Sequence, residues 1–242
     1  MTPVGFKPDS VNRAAIQRVL KAEEDFMTID FNWPKKGNKA LVSAADGAYF
    51  HMPSIRMFHP PHATSFKEAA QIVLDKIDAD CDKASNDIFI FPVMYLYRHG
   101  IEINLKSIIR VGIGIEFFKK EDVEEDLQWH DLAKLWNHAR KLLSHRWPTS
   151  DPAPLKATEA VINELHQSDP NGQVFRYPAD KNGKPHRYES LPDHISVAAL
   201  KKTMDGVYNF LEATWSALED DLQNELQMRA DWEAEIRADY RE

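Results

Sequence analysis

From Ile88 to Ile109 the chain is a dense apolar run crossed by one polar line, Arg98, Glu102 and Lys106, in steps of four residues. That step puts the three side chains on one face of a helix, and Glu ahead of Lys is the favourable order for such a pair. The run is too long for a single strand. Pro92 falls in its first turn, where a helix has no use for the missing N–H. The segment is therefore read as one buried helix, and a buried helix needs the apolar stripes of others around it.

The rest of the chain supplies those stripes. Asp9 or Ser10 is expected to cap a first helix reaching about Asp30, with Val11, Ala14, Ala15, Val19, Ala22 and Phe26 on one face. Thr64 or Ser65 caps the next, whose stripe is Phe66, Ala69, Ala70, Val73, Leu74 and Ile77. Further helices are expected at about His130–Ser144 and Pro154–Gln167. Beyond His194, apolar residues recur at Leu200, Met204, Val207, Leu211, Trp215, Leu218 and Leu222. These three- and four-residue steps predict one extended helix or two nearly collinear ones. Between Phe31 and Ser65, Pro34, Pro53, Pro60 and Pro61 forbid a helix, and Lys39–Ser43 and Ala48–Met52 flank a turn at Asp46-Gly47. This reads as a short hairpin followed by an irregular strap. After Gly112 and Gly114, Glu121–Asp126 reads as an acidic linker, and Ser168–Asp193 is a turn-rich loop. The fold class expected is all-α, a helical bundle with a long C-terminal helix and a small irregular or β-hairpin insertion near the N-terminus. The expected divisions are 1–65, 66–218 and 219–242.

Charge narrows the function classes. The net charge is −8, and Glu219–Glu242 carries −6 of it, with nine acids against Arg229, Arg237 and Arg241. Indiscriminate binding to duplex DNA calls for the opposite sign. At 43% apolar and 28% charged residues the composition is that of an ordinary globular chain. Cys81 is the one cysteine, so neither an intramolecular disulfide nor a cysteine-rich zinc site can form, and a reducing compartment is expected. The N-terminus has no signal-peptide pattern, and the apolar stretches Ile88–Leu96 and Val111–Phe118 are too short to span a bilayer. A cytoplasmic protein without membrane contact is expected. His51, His59 and His62 are separated by prolines and share no helical face, so no metal site and no cofactor are expected.

Three motifs follow one another in order. The central helix carries a Glu-x-x-Leu-Lys core from Glu102 to Lys106, within Tyr97–Lys106. His130-Asp131-Leu132 opens a later helix, and Arg176-Tyr177-Pro178 precedes the last one. In that order they resemble the HEPN domain (higher eukaryotes and prokaryotes nucleotide-binding), over about Phe89–Trp215. The resemblance implies a bundle of four or five helices, often paired as a dimer. It also implies one of two roles: a metal-independent ribonuclease of toxin–antitoxin or phage-defence systems, or a non-catalytic partner of a small nucleotidyltransferase.

The nuclease members depend on Arg-x(4–6)-His. RNA carries its own nucleophile in the 2′-hydroxyl. Histidine can move the proton, and arginine stabilises charge developing on the phosphate. Arg56…His62, Arg140…His145 and Arg187…His194 all fit the spacing. The first lies in the strap and the third spans Pro192, so Arg140 and His145 are the expected catalytic pair. Two departures from the family pattern bear on this choice: Lys141 follows the arginine, and the pair lies on the His-Asp-Leu helix rather than near Arg176. The loop residues Arg176, Tyr177, Lys181, Lys184 and Arg187 are expected to hold RNA or phosphate, with bases on the rings. Arg98, His99, Glu102 and Lys106 are expected to form a satisfied polar network in the core.

The expected function is thus a HEPN-like endoribonuclease independent of metal. The alternative is a HEPN-like module that binds a nucleotide or a partner protein without catalysis. Partners follow in kind: a second copy, RNA or a nucleotide, an antitoxin or a nucleotidyltransferase-type protein. The homodimer is expected because Trp215, Leu218 and Leu222 read as extending past the bundle. The acidic end, with Leu222, Leu226, Trp232, Ile236 and Tyr240 among its acids, is expected to be helical and to dock on something basic. On the loop Arg176–Arg187 it would act as an internal brake.

Overall fold

The structure, a computed structural model, describes residues 36, 39–40, 62–79, 87–186, 188 and 191–239. The chain divides into two units between Met52 and Pro53, and the described residues from His62 onward belong to the second. The expected first helix, the hairpin and the strap lie outside the described residues, as does Arg187.

Among the described residues six helices follow in order: α1 (His62–Ala79), α2 (Ile90–Gly114), α3 (Lys120–Gln128), α4 (Leu132–Arg146), α5 (Pro152–Ser168) and α6 (Val197–Asp239). A 3-10 turn, Asp87–Phe89, leads into α2. The described residues form no β-strand, only an isolated bridge between Ala179 and Pro185. The unit is all-α.

α2 is the axis of the bundle, with α1, α4 and α6 packed on it and α5 packed on α4 and α6. Tyr97, Ile101, Leu105, Ile108 and Ile109 are fully buried along α2, as the apolar run requires. They meet Leu135, Trp136 and Leu142 of α4 and Tyr208 and Leu211 of α6 in one core. α6 runs parallel to α2: Tyr208 lies against Tyr97 and Gly100, and Leu222 lies against Gly114.

Gly100 makes this packing possible. A methyl group there would run into the Tyr208 hydroxyl and sit 3.0 Å from the Ala63 carbonyl oxygen. Neither neighbour can yield, because the first is fixed by a 2.9 Å hydrogen bond donated to the Tyr97 carbonyl and the second is backbone. Gly100→Ala should therefore lower stability by about 1–2 kcal/mol, overpacking outweighing the better helix propensity of alanine. Gly206→Ala, at an exposed position of α6 with nothing within 4 Å, should raise stability by about 0.5–1 kcal/mol. Urea midpoints of the two variants moving in the same direction would contradict this account.

Helix boundaries follow from caps. The Asp131 carboxylate accepts from the Lys134 amide at 3.0 Å and opens α4. Asp151 accepts from the Ala153 amide ahead of α5, with Pro152 at the first helical position. Three readings of the sequence change. α1 begins at His62, so Thr64 and Ser65 lie inside its first turn: Thr64 donates to Glu212 of α6 and Ser65 to the His62 carbonyl. Glu121–Asp126 is helical rather than a linker. Glu121 and Asp122 complement the positive end of α3, Val123 is buried, and Asp126 bonds His138 of α4. The apolar stripe of α6 is covered within the chain as far as Leu222: Leu218 is fully buried, and Trp215 and Leu222 pack against the core. The uncovered apolar residues come later, at Leu226, Met228 and Trp232.

α6 is helical through its acidic half, as expected. Arg146 pairs with Asp221 at 2.8 Å, and Arg229 with Glu116 at 2.9 Å. Because α6 is parallel to α2, this half extends past the C-terminal end of α2. The loop that follows Arg176 stands by the N-terminal end. A continuous helix cannot fold the acidic segment back on that loop, so the internal brake is ruled out within one chain.

Candidate nucleic-acid interface

The polar line of α2 is a buried junction. Arg98 and Glu102 are 2% and 3% exposed and lie 3.2 Å apart as an ion pair. Arg98 also donates to the carbonyls of Asp169 and His130, and its Nε lies 3.3 Å from the Asp169 carboxylate. Glu102 meets Lys106 Nζ and His130 Nδ1, each at 2.8 Å. The expected network therefore exists for Arg98, Glu102 and Lys106, and it is joined by His130 and Asp169 from distant elements. His99 stands apart from it: its ring stacks on Tyr95 at 5.5 Å and meets Phe66 edge-on at 4.6 Å.

Charge states follow from these surroundings. Burial pushes the Glu102 carboxyl upward, but hydrogen bonds from Lys106 and His130 outweigh it and hold the group below the ordinary glutamate value. Burial lowers the Arg98 pKa, against the pull of Asp169 and Glu102. Burial also lowers His99, which favours a neutral ring. Hydrogen bonding from His138 depresses Asp126. A carboxyl with a depressed folded pKa contributes stability above its unfolded pKa and loses it as pH falls through the folded value. The urea midpoint should therefore fall once pH drops below about 4, the unfolded carboxylate range. A midpoint unchanged between pH 6 and pH 3 would refute the assignment.

The junction shapes a turn. The Asp169 carboxylate accepts from the amides of Gln173 and Val174 at 2.7 and 3.0 Å. Gly172 sits at φ +67°, and a Cβ there would come within 2.9 Å of Arg98 Nη1, so conformation and space both call for glycine. The turn buries Phe175 and delivers Arg176 and Tyr177 to the start of α2. Arg176 Nε donates to the Gly172 carbonyl. Its guanidinium lies 5.8 Å from the ring centre of Tyr95 and 5.5 Å from that of Tyr177.

Around this cation lies a shallow cleft lined by Phe91, Pro92, Tyr95, Phe175, Arg176 and Tyr177. Tyr177 is 53% exposed and Phe91 37%. Tyr188 packs on Phe91 at 5.2 Å and extends the row of rings. Next to it the chain makes a second turn, where the Asp180 carboxylate accepts from the amides of Asn182 and Lys184 at 2.8 and 2.9 Å. Lys181 and Lys184 are both exposed on it. Aromatic faces beside an arginine and two lysines can stack bases and hold phosphates.

Arg140 and His145 are not brought together. Five residues apart on α4, they point about 140° away from each other. Arg140 lies 3.7 Å from Glu159 of α5, whereas the His145 ring lies 4.9 Å from that of Phe117 in the α2–α3 connection. Of the three histidines weighed as metal ligands, only His62 is described. No helix of the described residues is long and apolar enough to cross a membrane.

Reading the sequence missed Phe91, Tyr95 and Asp169 as contributors to the site. Asp169-Pro170-Asn171-Gly172 carried a signal as a turn, but nothing local tied it to Arg98. No family model, curated protein or solved structure matches the chain.

Proposed function

We propose that this chain is a HEPN-like RNA-binding protein of a bacterial toxin–antitoxin or phage-defence system. In this reading it takes single-stranded RNA in the cleft of Phe91, Tyr95 and Tyr177. The observation that supports it is the Arg176 guanidinium held between two tyrosine rings, with one ring face half open to solvent. Bases would stack on the rings, and Arg176, Lys181 and Lys184 would meet the phosphates. The assignment to a defence system, and to the HEPN superfamily, rests on the order of the three sequence motifs. Binding without cleavage is favoured over catalysis because Arg140 and His145 point apart and each packs against other groups of its own chain.

Fluorescence anisotropy with a labelled single-stranded RNA dodecamer tests the binding. The affinity should fall as salt rises, and a duplex of the same sequence should bind less well. Labelled total RNA incubated with the protein and a chelator should remain intact. Chelator-resistant cleavage that disappears in His145→Ala would replace this reading with the nuclease one. Failure of any single-stranded RNA to bind would remove both.

A further inference from the structure

A cavity of about 230 Å³ lies away from the aromatic cleft, among α2, α5, α6 and the segment that leads into α6. Its walls are apolar: Met94 of α2, Val161 and Leu165 of α5, Leu200 and Met204 of α6. We propose that it is a binding site for a small aromatic amine, whose ring fills the apolar space and whose ammonium group meets Glu164 at the rim.

The volume sets the size of the occupant. An apolar cavity of about 150 Å³ takes up benzene, so the larger space suits a ring with a short side chain. The rim sets the charge. Ser168 is turned to the Glu164 carbonyl at 3.0 Å, and the Ser196 hydroxyl takes the Ala199 amide at 3.3 Å, so both serve their own backbone. Among the described residues the Glu164 carboxylate has no hydrogen bond or ion pair, and neither lysine nor arginine lines the cavity. The other polar groups at the rim are Thr203, whose hydroxyl can donate or accept, and His194. A cation is the ligand charge that this rim favours. An anion would meet Glu164 with no lysine or arginine to compensate it.

Isothermal titration of the full chain at pH 8 decides the matter with three probes that share a phenylethyl group. These are 2-phenylethylamine, 2-phenylethanol and 3-phenylpropanoate. The amine should bind about threefold more tightly than the alcohol, the gain of an exposed charge pair. It should bind about tenfold more tightly than the carboxylate, because repulsion adds to the lost attraction. Glu164→Gln should bring amine and alcohol to equal affinity while the alcohol still binds. Ala199→Trp, a change at an exposed lining residue that fills the space from outside, should abolish uptake of all three. Circular dichroism matching that of the parent shows that each variant is folded. No uptake by the parent, a carboxylate that binds as well as the amine, or binding that survives Ala199→Trp would overturn the proposal.

Discussion

Arg98→Met should destabilise the protein by about 3–5 kcal/mol, the usual cost of removing one member of a buried, hydrogen-bonded ion pair. The loss is not confined to Glu102, which keeps Lys106 and His130. The Asp169 carboxylate, 1% exposed, would keep only its two backbone donors, and the carbonyls of His130 and Asp169 would lose theirs. Arg98→Lys should recover little, because an ammonium cannot match the planar fork that reaches three elements at once. Urea unfolding of both variants measures this. A loss below about 1 kcal/mol for Arg98→Met would mean that the junction is dispensable, contrary to the usual cost of an orphaned buried charge.

Arg176→Ala combined with Tyr177→Ala should weaken binding of single-stranded RNA by about 10- to 100-fold, the loss expected from one stacked base and its accompanying cation. Both side chains are exposed at the rim of the cleft, so the fold should be unaffected. Lys181→Ala and Lys184→Ala should act differently, each lowering affinity modestly and flattening its salt dependence. Anisotropy titrations at several salt concentrations separate the two effects. If the double variant binds like the parent, the rings do not hold bases. The Arg98 variants add a link: by loosening the turn that carries Arg176, they should weaken RNA binding at temperatures where the bundle is still folded.

The ladder on α2 was legible because residues four apart share a helix face whatever surrounds them. His130 and Asp169 were not, since they arrive from 28 and 71 residues away from their partners Glu102 and Arg98, and no local pattern encodes such a meeting. Phe91 and Tyr95 read as core because periodicity assigns a buried stripe without saying where along the helix burial stops. The first turn of α2 emerges from the bundle, which turns apolar residues into a surface. α3 was hidden because Val123 and Leu127 are outnumbered by acids, so a short amphipathic helix looked like a solvated spacer. Arg140 and His145 fitted a spacing, but a spacing of five residues on one helix is not a shared face.

The parallel course of α2 and α6 also offers a way for a negatively charged protein to receive a polyanion in the proposed cleft. By the register of Tyr208 on Gly100 and Leu222 on Gly114, Tyr95 is level with Thr203, from which the rise of an α-helix is about 24 Å to Glu219 and about 42 Å to Asp231. The Debye length at physiological ionic strength is about 8 Å. About three or more screening lengths along α6 thus separate the acidic half from the proposed cleft, so at that ionic strength its repulsion would be weak at the proposed RNA site. At low salt the same layout becomes a dipole, with lysines and Arg176 at one pole and a boom of carboxylates at the other. An approaching strand would feel a torque that turns the basic pole towards it before contact. Net charge, the crudest property of the sequence, would then act as a rudder rather than a barrier.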